Sequence, residues 1–503
     1  MEKGCADDPA DGIGARLNQK NRYLLLFLAI ILLATALRFY ALDDRVFHHD
    51  EGVHGYLTYK LFKHGEYHYD PTYHGPFLYY STAVVFTLFG DSNFTARLLP
   101  AVAGVLLIAL VYLLRDQLGE SGALFAAAMI AISPSFLYYS RFFRNDIYIA
   151  FFSLLFVVSA VKYLKHGHYC QRLLYVCTGA IAGALALSAK ENAYIIAGIF
   201  AFFVLGYLIA KKEMNIMRAL DALLFALISF AIFALFYTNF LTNPDALISV
   251  IPDAINHWAE MHRIQRIGGH WLFYLPILVR YELPITLLAI AGGVHYVKKR
   301  NIFMIFLLYW GVTSLLVYSY LQEKVPWLVL HILLPFALIA GAYTGELLPS
   351  LSKRPRAIEA AVAIILVFSA GLFIHQSIFI NYYENTDSDE ITIRGIPVHG
   401  LIYVQTTSDV LDTVGFIDRS VRDDPNTSIT IAAPENDYWP LPWYMRNYNG
   451  CGYLNSVPER SDSDIVIVPA DETHNITLYL RYSKKVFTLR PGYDMAMYYY
   501  NPE

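Results

Sequence analysis

The chain has 503 residues, of which 56% are hydrophobic, 15% aromatic and only 16% charged. Soluble globular chains carry about a quarter charged residues, so this composition excludes an ordinary soluble enzyme. The net charge of −4 excludes recognition of nucleic acid through a basic surface, and no nucleic-acid partner is expected. Cys5, Cys170, Cys177 and Cys451 show neither metal-ligand nor disulfide spacing.

Residues 1–22 are polar and read as a disordered cytoplasmic N-terminus. Apolar runs of about 20 residues follow, each long enough to cross a bilayer. They predict spans at Tyr23–Leu42, Ala96–Leu114, Gly122–Leu137, Ile147–Leu164, Leu173–Ala189, Ala193–Ala210, Ala219–Leu241, Leu272–Val297, Ile302–Leu321, Leu328–Leu348 and Ala357–Ile380. Tyr23–Leu42 is too long for a signal-peptide core and lacks a small-residue cleavage site, so it reads as a retained helix. Phe77–Phe89 is too short to span and reads as an interfacial or re-entrant helix. With that run left out of the count, the basic clusters Lys20/Arg22, Arg115, Lys162/Lys165/Arg172, Lys211/Lys212/Arg218, Lys298–Arg300 and Lys353/Arg354/Arg356 fall on one side. The positive-inside rule makes that side the cytoplasm. The sequons at Asn93, Asn426 and Asn475 then fall outside.

After Ile380 the composition turns polar. Strand-like Ile429–Ala433 and Ile465–Val468, with helix-like Asp409–Val421, predict a small external α/β domain over residues 381–503. The expected fold class is therefore an all-α polytopic membrane protein, with a transmembrane domain over 23–380 and a first external loop over 43–95. A small extracytoplasmic α/β domain completes it.

Most of the chemistry-bearing residues collect on the outer side. His48-His49-Asp50-Glu51 follows the first span. Adjacent carboxylates at a membrane surface need separate partners, and neighbouring side chains of an extended loop point apart. Tyr73-His74-Gly75-Pro76 leads into the short apolar run. Between the third and fourth spans lies Tyr138-Tyr139-Ser140-Arg141-Phe142-Phe143-Arg144-Asn145-Asp146. Outer arginines oppose the positive-inside bias, so either a pair with Asp146 or a bound phosphate accounts for them. Lys190-Glu191-Asn192 forms a tight outer turn. Arg280 and Glu282 sit in the outer half of the eighth span, where ionisable groups are functional candidates. Gln322-Glu323-Lys324-Val325-Pro326-Trp327 precedes the tenth span, with His331 just inside it. His270 lies in a later outer loop.

These clusters, in this order, resemble the GT-C superfamily of polyprenyl-phosphate-sugar-dependent glycosyltransferases, which includes protein O-mannosyltransferases and bacterial aminoarabinose transferases. The resemblance rests on Asp50-Glu51, Gly75–Tyr80, Arg97-Leu98, Ser133-Pro134, Ser140-Arg141, Asp146 and Ala189-Lys190-Glu191, and covers roughly residues 20–350. Gln322–Trp327 and Trp439-Pro440-Leu441-Pro442-Trp443-Tyr444-Met445-Arg446 look like an archaeal GT-C-like family labelled flippase-associated N-glycosylation proteins. The chain departs from the aminoarabinose transferases at His74-Gly75-Pro76, where those enzymes have Lys-Pro-Pro.

The resemblance implies a membrane enzyme that moves a sugar from dolichyl or undecaprenyl phosphate to a glycan, lipid or protein acceptor by one inverting displacement. Asp50 is the expected base, and Glu51 orients the acceptor or a metal. Arg141, Lys190 and Lys324 are the expected phosphate ligands, in place of the missing lysine. His49, His74, Arg144, Asp146, Glu191, His270, Arg280 and Glu282 are candidate sugar, acceptor or structural residues. His49, His74 and His270 are also candidates to hold a divalent metal. Two other readings use the same outer face, a flippase or flippase-associated factor for lipid-linked sugars and a scaffold that only binds glycolipid.

Overall fold

The computed structural model describes residues 9–165, 168–211, 216–264, 270–321, 324–384, 391–393, 396–398, 400–472, 476–478 and 482–500. Cys5, Lys212, Gln322, Glu323 and the sequon residue Asn475 lie outside them. Among the described residues, nine helices are long and apolar enough to cross a membrane, and two bent helix pairs bring the count to eleven. The chain is a multi-pass membrane protein.

The first span lies within α1 (Pro9–Phe39), which extends back into the segment expected to be disordered. Outside it come α2 (His49–His64) and the short apolar α3 (Phe77–Phe89). Next are α4 (Asn93–Leu113), opened by a Ser92/Thr95 capping box, and the single turn α5 (Arg115–Leu118). The third span is broken into α6 (Glu120–Ile132) and α7 (Pro134–Ser140). Then follow α8 (Asp146–Lys165), α9 (Tyr169–Ala189), α10 (Asn192–Lys211), α11 (Ile216–Tyr237) and the amphipathic α12 (Ala246–Ile264). The eighth span is broken into α13 (Tyr274–Tyr281) and α14 (Leu283–Lys298). The last spans are α15 (Ile302–Tyr320), α16 (Val329–Leu351) and α17 (Arg356–Ile378).

Prolines cause both breaks. A proline disfavours helical backbone in the residue before it. Ser133 caps α7 ahead of Pro134, bending the pair by 61°, and Pro284 near the start of α14 accompanies a bend of 106°. Glu282 stands at the second break and joins it to the first. Its Oε1 accepts from Ser133 Oγ at 2.8 Å and from the Ser135 N–H at 2.9 Å, so a fully buried carboxylate caps the N-terminus of α7.

The core runs along α16, where every residue from Val329 to Ala342 is buried. A helix apolar all round belongs at the centre of a bundle. Gly341 and Gly345 bring its backbone against α6. A Cβ on Gly341 would stand 2.4 Å from the Ala126 nitrogen, and one on Gly345 2.5 Å from the Gly122 nitrogen. Small residues four apart are the usual device for close helix approach in a bilayer.

The C-terminal part begins with a small hairpin, β1 (Ile391–Ile393) and β2 (Ile396–Val398). It continues with α18 (Asp409–Asp423), β3 (Ile429–Ala432), the single turn α19 (Leu441–Tyr444), β4 (Cys451–Leu454), β5 (Arg460–Ser461), β6 (Ile465–Pro469), β7 (Thr477–Leu478), β8 (Tyr482–Arg490) and β9 (Tyr493–Tyr500). Five strands form a mixed sheet in the order β4-β3-β6-β9-β8. β3 is parallel to β4 and β6, whereas β9 is antiparallel to β6 and β8. The wholly buried β6 is its middle strand, and Gly492 at φ 77° turns β8 into β9. Both expected strands and the expected helix are present.

Replacing Gly341 by leucine forces the two backbones apart. Overpacking of this kind costs about 1–3 kcal/mol or more, and Gly341→Ala costs less. Thermal midpoints in detergent should fall in the order wild type, Ala, Leu.

Candidate functional site

α2 starts where it does because the His48–Glu51 segment caps itself. His48 Nδ1 accepts from the Asp50 N–H at 3.0 Å, and Glu51 Oε2 accepts from the His48 N–H at 3.1 Å. The other ring nitrogen of His48 therefore carries the proton and donates to the Tyr403 carbonyl. Burial pushes the His48 imidazole down to about 3, so it is neutral. Glu51 has no solvent contact. Its oxygens accept from Arg97 Nε at 2.7 Å and Nη2 at 2.6 Å, and from the Phe143 N–H at 2.8 Å. Burial alone would raise its pKa, but Arg97 outweighs burial and holds it at about 2. Arg97 also ties down the preceding loop through the carbonyls of Leu42 at 3.0 Å and Arg45 at 2.8 Å.

With Glu51 turned inward, Asp50 keeps partial access to solvent. It pairs with Arg144, which is the hub of a network. Arg144 Nη2 meets His74 Nε2 at 3.2 Å, Nε lies 3.5 Å from Asp146, and the guanidinium carbon stands 3.8 Å above the centre of the Trp327 ring. Since arginine only donates, His74 Nε2 accepts, and its Nδ1–H donates to Glu191 Oε2 at 3.1 Å. Glu191 also accepts from the Tyr69 hydroxyl at 3.0 Å. Burial would raise the Glu191 carboxyl, but the bond from His74 brings it below its ordinary value. On the other branch Asp146 meets Lys190 Nζ at 3.3 Å and His331 Nε2 at 3.4 Å. Lys190 borders a cleft lined also by Asn192, Trp258, His262, Tyr318, Val325 and Leu328.

The segment holding His74 is under constraint. His74 has φ 70° and ψ −171°, a conformation open to glycine and costly to other residues by about 1–3 kcal/mol. Gly75 donates its N–H to the Ala189 carbonyl at 3.1 Å, and a Cβ there would strike the Ser188 oxygen at 2.3 Å. This close approach to the end of α9 delivers His74 to Glu191.

Residues 73–237 match the family model described as dolichyl-phosphate-mannose-protein mannosyltransferase. An undecaprenyl phosphate-alpha-4-amino-4-deoxy-L-arabinose arabinosyl transferase of Pseudomonas fluorescens is 28% identical over 280 residues, 52% of this chain and 48% of that protein. The chain thus spans about half the length of the curated relative it matches. Among solved structures, ArnT from Cupriavidus metallidurans bound to undecaprenyl phosphate has a TM-score of 0.63 at 15% identity, covering 94% of this chain and 98% of that one. The archaeal oligosaccharyltransferase AglB from Archaeoglobus fulgidus, in complex with an inhibitory peptide and a dolichol-phosphate, has a TM-score of 0.58 at 14% identity, covering 90% and 70%. The chain shares the fold of these two structures.

Within this fold, Asp50, His74, Arg144, Asp146, Lys190 and Glu191 come together from four separate segments between the helices. Other expected residues go elsewhere. Glu51 is enclosed by Arg97 and backbone donors, so it positions α2 and does not reach an acceptor or a metal. The Arg141 guanidinium, an expected phosphate ligand, caps the C-terminal end of α1 through the carbonyls of Leu37 at 3.0 Å, Arg38 at 3.1 Å, Tyr40 at 2.5 Å and Ala41 at 2.8 Å. Glu282 caps α7. Arg280 is exposed beside Tyr281, and His270 Nδ1 accepts from the Leu272 N–H within its own turn at 3.2 Å. Lys324 is buried on the segment leading to Trp327, and burial lowers its pKa.

A metal held by His49, His74 and His270 does not fit. Both ring nitrogens of His74 are engaged, and among the described residues no three His, Cys, Asp or Glu side chains form a group able to hold a metal ion. Sequence reasoning missed the roles of Arg97, Trp327 and His54. Arg97 had a signal, an arginine in the opening turns of an apolar span. Trp327 and the buried His54, whose Nδ1 meets the Tyr79 hydroxyl at 2.8 Å, had none beyond their neighbours.

Removing one partner of a buried pair costs about 3–5 kcal/mol, so Arg97→Met should destabilise the protein strongly. Glu51 titrates lower in the folded state than in the unfolded one. Its contribution is complete above the unfolded pKa, near 4.5, and is lost as pH falls towards 2. Thermal midpoints of wild type and Glu51→Gln should therefore differ most at neutral pH and converge through that window.

Proposed function

We propose that this protein is an inverting glycosyltransferase that moves a sugar from a polyprenyl phosphate to an acceptor at the outer membrane surface, with Asp50 as general base. One observation carries the reading. Asp50 is the network carboxylate with appreciable exposure, its side chain 25% accessible, against 0% for Glu51, 1% for Asp146 and 3% for Glu191. Arg144 holds it in place while leaving it open to an incoming hydroxyl or amide.

The acceptor oxygen or nitrogen attacks the anomeric carbon as the bond from that carbon to the phosphate oxygen breaks. The electron pair leaves with the phosphate, and Asp50 takes the acceptor proton. Arg144, Lys190 and Lys324 are the cations for the departing phosphate. Lys190 is suited to this because it borders a cleft lined by both polar and apolar side chains, among them His262, Trp258 and Leu328. Undecaprenyl phosphate and dolichol-phosphate in the structures of the two GT-C relatives support this donor class. Asp146 and Glu191 keep Lys190 and His74 in place before the donor arrives.

Asp50→Asn keeps the size of the side chain and removes the proton acceptor. Transfer from radiolabelled polyprenyl-phosphate sugars should fall by about 10²–10⁴, while binding of undecaprenyl phosphate persists. Unchanged transfer would remove Asp50 as base. A wild type that moves glycolipid across vesicles without transfer would instead mark a flippase. The reading also requires the network on the outer side. Reporter fusions should therefore place the N-terminus inside and the C-terminal sheet outside, and both on one side would refute that orientation.

A further inference from the structure

The motif Trp439–Arg446 takes no part in the network around Arg144, yet it lies against the helix that carries Asp50. At about 100° per residue, Asp50, Glu51 and His54 share one side of α2, while Gly52, Gly55, Tyr56 and Tyr59 share the other. The motif covers this second side. A Cβ on Gly52 would stand 2.4 Å from Pro440 Cβ and 2.7 Å from Pro440 Cα, and one on Gly55 2.8 Å from Trp443 Cε3. Both glycines are needed because a ring sits where a side chain would begin.

The motif also grips the segments at both margins of the base. Trp443 stacks on Phe47 at 5.0 Å and 15°, and Tyr444 accepts from the Phe47 N–H at 3.0 Å, just before the cap at His48. Trp443 Nε1 donates to Asn93 Oδ1 at 2.8 Å, at the start of the helix that carries Arg97. Arg446 Nε bonds Asp91 Oδ2 at 2.7 Å, and its guanidinium lies 3.7 Å over the Trp443 ring. Tyr59 donates to Asn447 at 3.1 Å. α2 is thus held between two surfaces, Arg97 and the Arg144 network on one side and the C-terminal part on the other.

We infer that the C-terminal part is a positioning element for the base, acting through Pro440 and Trp443 seated on Gly52 and Gly55 of α2, with Arg446 bracing Trp443. This rests on the assignment of Asp50 as base. Displacing a catalytic group by about 1 Å can cost 10²-fold in rate, and a methyl group at position 52 moves the helix on that scale. Arg144, Lys190 and Lys324 belong to segments other than α2, so this shift leaves them in place.

The test compares full-length wild type, Gly52→Ala, Gly52→Ala with Pro440→Gly, Arg446→Gln and Asp50→Asn. Each is assayed for kcat, for KM of the lipid-linked donor and for binding of undecaprenyl phosphate. Gly52→Ala should lose about 10²-fold in kcat with KM and binding unchanged, and Pro440→Gly should restore part of the turnover. Arg446→Gln should show a smaller loss of the same kind, and it decides the matter if Gly52→Ala does not fold. Full turnover in both Gly52→Ala and Arg446→Gln would overturn the inference, as would kcat and binding falling together. Asp50→Asn separates the two levels: retained transfer there overturns the base and this inference with it, whereas lost transfer beside full turnover in Gly52→Ala overturns this inference alone.

Discussion

Glu51 and Arg97 form a bidentate ion pair without solvent contact, and this end of the molecule is organised by what that pair demands. A carboxylate out of water is tolerated only when its lone pairs are filled. Glu51 is therefore met by Arg97, by the backbone at the start of its own helix and by the backbone of Phe143. These donors come from three parts of the chain. Satisfying them aligns α2, the entry to α4 and the turn between α7 and α8, and that alignment turns Asp50 outward beside Arg144.

Arg144 then distributes one positive charge among groups that would otherwise repel. Asp50 and Asp146 approach it from two sides, His74 accepts from it, and Trp327 covers its face. Lys190 takes the other side of Asp146. Three carboxylates, Asp50, Asp146 and Glu191, thus stand close together while only Asp50 keeps appreciable access to solvent. The difference follows from burial: enclosed acids hold cations and a histidine in place, and the open one keeps a face towards solvent.

Helix ends account for Arg38 and Arg141. A helix that ends inside a membrane leaves carbonyls without partners. Arg141 fills those at the end of α1, and Arg38 fills those of Ala131 at 3.2 Å and Ile130 at 3.3 Å at the end of α6. Arg38 also reaches Ser140 Oγ at 3.2 Å. Gly104 leaves room for that contact, since a Cβ there would lie 2.3 Å from Ser140 Oγ. Arg141 meets a helix end and Arg144 meets carboxylates, three residues apart.

By itself the sequence determined the spans, the short Phe77–Phe89 helix, the strands Ile429–Ala432 and Ile465–Pro469 and the outer segments that hold the network. These follow from local properties, apolar length and the period of the hydrophobic pattern, which folding does not alter. The resemblance to GT-C proteins likewise rested on short motifs that remain intact in the fold. Roles within the motifs were decided by tertiary structure. Asp50 and Glu51 are neighbours with the same chemistry, and only the position of Arg97, 46 residues beyond Glu51, makes one structural and leaves the other open. Arg141 and Arg144 likewise diverge because one meets the end of α1 and the other meets Asp50. Trp439–Arg446 is legible as a motif, but the glycines that receive it lie nearly 400 residues earlier in the chain. Hydrophobic pattern is a property of neighbours along the chain, whereas the partner that satisfies a buried charge is chosen by packing.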